Sequence, residues 1–406
     1  MIIAYNILNN YIKGYKMNLE KRIEEIYKEI RDIRRDIHQH PELGEEEFRT
    51  NKIIRNFLDE NNIENYTCAK TGVVGIIRGK NKGNTVGVRA DIDALPIEEE
   101  TNLEYKSVYK GKMHACGHDA HTSILLGVGK ILKEVENRLR GNVKLFFQPA
   151  EETVGGALPM IKEGCMENPK VDYVLGLHVF PNLETGYVGV KYNKMNASTD
   201  EFKIKIKGVP GHGAYPHNST DAIVIAGQVI TGIQSYISRS VSPLKSVVFS
   251  IGTINGGTGG NIIAEKVEMV GTMRTLDEEQ RKNTKERIDK LIKSICVGYG
   301  GEGEIEFFEG YKALINNDDV VKIVERNSRK ILGDDKVIVG DNPSMGAEDF
   351  SYFAEIAKGA FFSLGCGNKE KGIVYNGHHP KFQIDEECLK IGIRVQIENI
   401  LTLTKI

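Results

Sequence analysis

The feature that most constrains this chain is a set of apolar strand candidates that each run into groups able to bind protons or metal. NTVGVRA (84–90), GNVKLFFQ (141–148) and VDYVLGLH (171–178) are rich in branched aliphatic residues. Asp91 and Asp93 follow the first, Glu151 and Glu152 the second, and His178 ends the third. Segments with helical spacing separate them, so residues 17 to about 195 alternate helix and strand. That alternation predicts an α/β domain with a mostly parallel sheet covered by helices. Ligands of open sheets sit beyond the carboxyl ends of the strands, so these polar groups should gather along one sheet edge.

Beyond residue 199 the texture changes. From EFKIKIKG (201–208) to EIEFFEGY (304–311) the elements run β-α-β-β-α-β, a ferredoxin-like split unit. Helical spacing returns in DDVVKIVERNSRKIL, followed by a strand GAFFSLG (359–365) and a terminal helix. The expected organisation is a discontinuous domain, 17–198 and 313–406, interrupted by a small inserted domain, 199–312. A length of 406 residues accommodates both. An amphipathic helix starts at Met17 and stops before Pro41, so residues 1–16 are expected to be an N-terminal appendage.

Charge excludes one class of partner. With 54 Lys+Arg against 56 Asp+Glu the net charge is -2, without the basic excess of a nucleic-acid binder. No apolar run is long enough to span a membrane. Six cysteines without a CxxC pair point to a reducing compartment, and Asn and Lys interrupt every apolar stretch of the N-terminus. The expected location is the cytoplasm.

HACGHDAH (114–121) places Cys116 and His118 on either side of one glycine. Residues two apart on an extended backbone share a side, so the two could hold one ion. A thiolate with imidazole suits Zn²⁺, and nearby carboxylates would also admit Mn²⁺ or Co²⁺. Taken alone, the segment reads equally well as a buried cysteine beside polar groups capping a helix. Glu151 and Glu152 are adjacent, and neighbours on an extended chain project oppositely. One could ligate metal while the other moves a proton between a metal-activated water and a leaving group. A lone histidine such as His178 is more often a satisfied core residue than a ligand, and His378 and His379 lie far along the chain.

Several motifs occur together in a telling order: HQHPELGEEEF (38–48), HACGHDAH, FQPAEE (147–152), GLHV (176–179) and GHGAYPHNSTDA (211–222). GTINGGTGGNIIAEKVEMVGTMRTLD (252–277), MGAEDFSYF (345–353) and HHPKFQIDEE (378–387) complete the set. In these the chain resembles the metal-dependent aminoacylase and carboxypeptidase family. Within it, the likeness is to the branch of hippurate, N-acyl-amino-acid and indole-acetyl-amino-acid hydrolases. The resemblance implies a zinc-peptidase-like catalytic domain with a ferredoxin-like lid that usually dimerises. It implies two divalent ions held by Cys116, His118, Glu152, His178 and His378, with Cys116 in the bridging place and Glu151 as general acid and base. Asp91 and Asp93 would orient the ligands, His379 would be the less favoured of its pair, and His114 and His121 would be structural or supporting.

In the insert, the resemblance implies that His212 stabilises the oxyanion in a partner subunit's site. Asn261 and Arg274 would bind the substrate carboxylate, although a sheet-face salt bridge is a rival reading for Arg274. The family's usual proline after Asn-Ile-Ile is Ala264 here. The expected activity is hydrolysis of a small-molecule N-acyl-L-amino acid by a homodimer. N-acetyl-diaminopimelate deacetylation and small-peptide carboxypeptidase activity are the alternatives.

Overall fold

The computed structural model describes residues 18–405, so the expected appendage at 1–16 lies outside the described residues. Two helices, α1 (Leu19–Gln39) and α2 (Phe48–Glu60), precede strands β1 (Glu64–Cys68), β2 (Gly72–Arg78) and β3 (Asn81–Asp91). Helix α3 (His118–Glu134) leads to β4 (Arg140–Gln148), β5 (Tyr173–Glu184) and β6 (Val188–Val190). Next come β7 (Ser198–Lys207), α4 (Ala222–Ser240), β8 (Val247–Gly256), β9 (Lys266–Thr275), α5 (Glu278–Gly298) and β10 (Glu302–Glu309). The last long elements are α6 (Asp318–Leu332), β11 (Val337–Val339), β12 (Lys358–Gly367) and α7 (Glu387–Leu403).

The described chain divides into two compact units. The first takes the residues up to Asn193, Ile315–Asn342 and everything from Tyr352 onward; the second takes Lys194–Leu314 and Pro343–Ser351. In the first unit an eight-stranded sheet has the order β1-β2-β4-β3-β5-β12-β6-β11. The pairs β3 with β4, β3 with β5, β5 with β12 and β6 with β11 are parallel, and the other three are antiparallel. This is the mixed, mostly parallel sheet expected from the alternating sequence. Parallel strands buried on both faces need near-continuous apolar runs, which β3 and β4 supply with Val86, Val88, Val143, Leu145 and Phe147.

Helix α1 shows how the sequence produces one of the covering elements. Leu19, Ile23, Ile26, Ile30 and Ile37 recur at helical spacing and are all buried. Each such side chain contributes roughly 1.5–3 kcal/mol when fully removed from water. Asn18 caps the start by accepting the Lys21 N–H at 3.1 Å, and Pro41 follows the last turn.

The second unit has a four-stranded antiparallel sheet ordered β8-β9-β7-β10 with helices α4 and α5. Its core is formed by alternate residues of β7, Phe202, Ile204 and Ile206, with Val229 and Ile233 of α4 and Ile288 and Ile292 of α5. The two-residue pairing of Gly211–His212 with Ile262–Ile263 forms a separate small ribbon. No helix among the described residues is long and apolar enough to cross a membrane.

Candidate metal centre

A helix start, the turn after β4, the middle of β5 and a late loop of the first unit bring the chemistry-bearing residues together. Cys116 precedes α3 and His118 opens it, with Gly117 between them in a left-handed conformation at φ 89°. A Cβ at Gly117 would collide with a Val179 methyl group, so glycine is required twice over at this position. Cys116, His118 and His178 present donor atoms that all lie within 4.8 Å of one another. So do Cys116, Glu152 and His378, and so do His118, Glu151 and Glu152. Two triads therefore share the Cys116 sulfur. Cys116 Sγ lies 3.3 Å from His178 Nε2, and Glu152 Oε1 lies 3.0 Å from His378 Nε2.

Two positions depart from the sequence reading. His178 does not end its strand, because β5 continues to Glu184 and carries the histidine mid-strand. Glu151 and Glu152 do not project oppositely, since both reach His118. The extended-chain argument fails because Ala150 is left-handed at φ 56° and the two glutamates lie in the turn that follows it.

Three of the donors are oriented by a partner. His178 Nδ1 donates to the Val179 carbonyl at 2.8 Å, which leaves the Nε2 lone pair facing Cys116. His118 Nδ1 lies 3.1 Å from Asp93 Oδ1, and Asp93 Oδ2 accepts the Glu152 N–H at 2.9 Å. One carboxylate thus fixes two neighbouring donors. Asp91 is held by Arg89 at 2.7 Å and contacts His121 Nδ1 at 2.5 Å. His121 Nε2 accepts the Val179 N–H at 2.9 Å, so both its ring nitrogens are engaged and it supports the cluster without offering a lone pair to it. His379 turns elsewhere: its Nδ1 accepts the Lys381 N–H and its ring stacks on Tyr375.

The electrostatics call for positive charge. Burial lowers the His118 pKa, but Asp91, Cys116 and Asp93 together outweigh burial and drive it well above the ordinary histidine value. Burial and the neighbouring histidines bring His178 down to about 3, so it is neutral and able to ligate. Burial pushes the Cys116 thiol well up, against which His118 pulls it down. Burial also raises Glu152, and the hydrogen-bonding and charge of His378 with the charge of His118 bring it below the usual carboxylate range. His118 Nε2 is buried and makes no hydrogen bond, and beside it Glu152 Oε1 is buried with His378 Nε2 at 3.0 Å as its one close partner. An imidazole nitrogen left without a hydrogen bond, converging with a carboxylate and a thiol, is the donor set a borderline divalent cation takes. The residues present fit such ions.

The residues singled out in the second unit have a different setting. His212 and Ile262 pair across the small ribbon, and the Gly213 N–H donates to the Asn261 carbonyl at 2.8 Å. His212 and Asn261 are therefore neighbours despite their separation in sequence, and both are exposed. His212 Nδ1 accepts the Ala214 N–H at 3.1 Å, which places the proton of the neutral ring on Nε2. Arg274 lies on β9, where its Nη1 donates to the hydroxyls of Thr199 and Thr272. No carboxylate among the described residues pairs with it, so the salt-bridge reading of Arg274 fails. Glu47, unassigned in the sequence reading, touches the loop that carries Glu151; HPELGEEEF signalled the segment but not its partner.

A two-unit α/β chain with a thiol, imidazole and carboxylate cluster in its first unit has the makings of a hydrolase. The comparisons agree. Residues 87–401 match the model of Peptidase family M20/M25/M40, and the chain belongs to that family. It is a hydrolytic enzyme acting on amides. Among its relatives is Thermostable carboxypeptidase 1 of Saccharolobus solfataricus, 41% identical over 93% of this chain and 96% of that one. N-acetyl-L-cysteine deacetylase of Bacillus subtilis is 39% identical over 89% of this chain and 85% of that protein. A solved structure, the YXEP protein of Bacillus subtilis, described as a dinuclear metal binding peptidase from the M20 family, superposes with a TM-score of 0.82. It is 34% identical and matches 94% of this chain and 99% of that one.

Proposed function

We propose that the protein hydrolyses the amide of small N-acyl-L-amino acids in a metal-dependent reaction, releasing a carboxylate and a free amino acid. The observation that carries this is the pair of donor triads sharing Cys116 beside Glu151. Cys116, His118 and His178 would hold one divalent ion, and Cys116, Glu152 and His378 a second; Zn²⁺, Mn²⁺ and Co²⁺ all suit the set. Bound there, such ions would lower the pKa of a water and polarise the amide carbonyl. Asp91 and Asp93 hold His121, His118 and the Glu152 backbone in place. Glu151 takes the proton of the attacking water on its carboxylate and delivers it to the leaving nitrogen. His212 Nε2–H donates to the carbonyl oxygen as it gains negative charge, and Asn261 and Arg274 receive the amino-acid carboxylate.

The domain roles belong to the same reading: residues 17–198 and 313–406 as the catalytic domain, 199–312 as a lid that forms a homodimer. Strand β8 is an edge of its sheet with Val248 and Ile254 exposed, which supports pairing with a second copy. The N-acetyl-L-cysteine deacetylase relative supports an N-acyl amino acid as substrate, and Arg274 without an ion-pair partner supports a substrate bearing a carboxylate. The carboxypeptidase relative favours a second reading, cleavage of small peptides. A hydrolysis screen over acetyl-, benzoyl-, long-chain and indole-acetyl amino acids and dipeptides, with Mn²⁺, Zn²⁺ or Co²⁺, separates the two. Glu151→Gln should lose roughly 100- to 10,000-fold in kcat while keeping its metal, and near-normal turnover overturns the role given to Glu151.

A further inference from the structure

Glu47 occupies an unusual place for an acidic side chain. It is fully buried, and no cation among the described residues pairs with it. Burial raises its pKa, against which hydrogen bonds from Thr71 and the backbone act. It stands at the N-cap of α2, yet its side chain makes no capping bond to that helix. The capping is done instead by Glu42, whose carboxylate accepts the N–H groups of Arg49 at 2.9 Å and Thr50 at 2.8 Å. Glu47 is thereby released from the helix it begins, and it reaches across to a loop 103 residues further on.

What it holds there is the backbone next to the general base. Glu47 Oε1 accepts the Ala150 N–H at 2.8 Å, and its other oxygen accepts the Thr71 hydroxyl at 2.6 Å. Ala150 is the left-handed residue immediately before Glu151, a conformation that costs a residue with a Cβ about 1 kcal/mol or more. The turn closes by donation of the Gly155 N–H to the Ala150 carbonyl at 2.9 Å. The segment leading into Glu47 is wrapped closely on the same turn: a Cβ at Gly44 would strike Thr153 Oγ1 and approach Ala150 Cα. On the other side of Glu151, Asp93 accepts the Glu152 N–H. The peptide N–H groups before and after the Glu151 side chain are each gripped by a separate buried carboxylate.

We infer that Glu47 is a positioning residue: by holding the Ala150 N–H it locks the left-handed turn that sets the direction of Glu151, while Asp93 independently sets Glu152. This rests on the role of Glu151 proposed above. Without the Glu47 carboxylate the buried Ala150 N–H loses its acceptor and Ala150 loses its reason to stay left-handed. The Glu151 carboxylate then moves while His118 and Glu152, anchored through Asp93, do not.

The test is a variant panel read by kcat, KM, metal per chain and thermal midpoint. Glu47→Ala should lower kcat roughly 10- to 100-fold, the penalty of a misplacement near 1 Å, with metal content kept and KM nearly unchanged. Glu47→Gln should retain most of kcat, because its amide oxygen still accepts the Ala150 N–H. Ala150→Gly in the Glu47→Ala background should recover part of the lost kcat, since glycine adopts the left-handed turn unaided. Wild-type kcat in Glu47→Ala, or a loss that tracks metal loss and is not relieved by Ala150→Gly, overturns the inference. Should Glu47→Ala not be recovered folded, Thr71→Val decides: it leaves the carboxylate free to turn away and should lower kcat several-fold, and wild-type kcat in that variant overturns the inference. Glu151→Gln runs alongside. If it turns over normally, the role of Glu151 fails and the inference with it; if it is inactive while Glu47→Ala is normal, only the inference fails.

Discussion

The two units hold their chemistry in opposite ways. In the first, Cys116, His118, Glu152 and His178 sit in or near the interior, and His118, His178 and Glu152 each have a second atom fixed by a neighbour. In the second, His212 and Asn261 are exposed on a backbone-paired ribbon, where only the Ala214 N–H at Nδ1 orients the His212 ring, and Arg274 is steadied by two threonine hydroxyls. Polar donors that converge in a buried cluster cost folding energy unless something satisfies them all. Exposed groups on a ribbon cost almost nothing and are free to serve only when substrate arrives. Damage to the first unit should therefore reach metal content and stability together, whereas damage to the second should reach kinetics alone.

The largest effect is expected from Cys116→Ser, which removes the atom common to both triads. Turnover should fall on the order of 1,000-fold, in line with the several kcal/mol that metal polarisation supplies, and elemental analysis should find less than half the metal. Full metal content in this variant would break the contrast at its strongest point. His212→Gln comes next, with kcat down roughly 100-fold as for one lost oxyanion donor, and metal and thermal midpoint unmoved. A lowered midpoint would show that the second unit is less independent than its exposed setting implies. Arg274→Lys should raise KM about tenfold for substrates carrying a carboxylate and leave simple amides unaffected, because a lysine cannot make the paired contact of a guanidinium.

The smallest effect concerns pH. His38 is buried, with Arg34 and His114 near it and Asp119, Glu99 and Tyr105 facing it. Burial and Arg34 lower its pKa, but Asp119 and Glu99 outweigh them and the net shift is upward. A group raised on folding stabilises fully below its unfolded pKa and loses that contribution as pH rises through the folded value. The midpoint advantage of the wild type over His38→Gln should therefore be greatest below about pH 6.5 and shrink above it. An advantage that grows with pH would contradict the sign.

Periodicity made the framework legible. The strands around Val86–Val88 and Val143–Phe147, the α1 stripe and the β-α-β-β-α-β order all follow from spacings a few residues long. The resemblance pointed to five donor candidates, and the structure brings all of them together. What escaped depends on backbone dihedrals and on partners far away in sequence. Nothing in PAEE announces a left-handed Ala150, so the two glutamates were read as diverging. Nothing in HPELGEEEF says that Glu42 caps α2 and that Glu47 thereby turns to a loop in another part of the chain. The candidate strand VDYVLGLH stops at His178 because a polar residue interrupts the apolar run there, but Val179 and Phe180 resume it and pairing with β12 carries β5 onward, a contact no local pattern contains.

The sharing of Cys116 by two triads has a consequence for the order of events during synthesis. Cys116, His118 and His178 all leave the ribosome before the second unit is made, whereas His378 follows roughly 200 residues after His178. The second triad is therefore complete in the chain only once its final stretch has been made, and His178 itself lies opposite Ser363 of β12. Both triads thus draw on the C-terminal part of the polypeptide, and a chain cut short before it would lack the second triad's last donor and the strand beside the first.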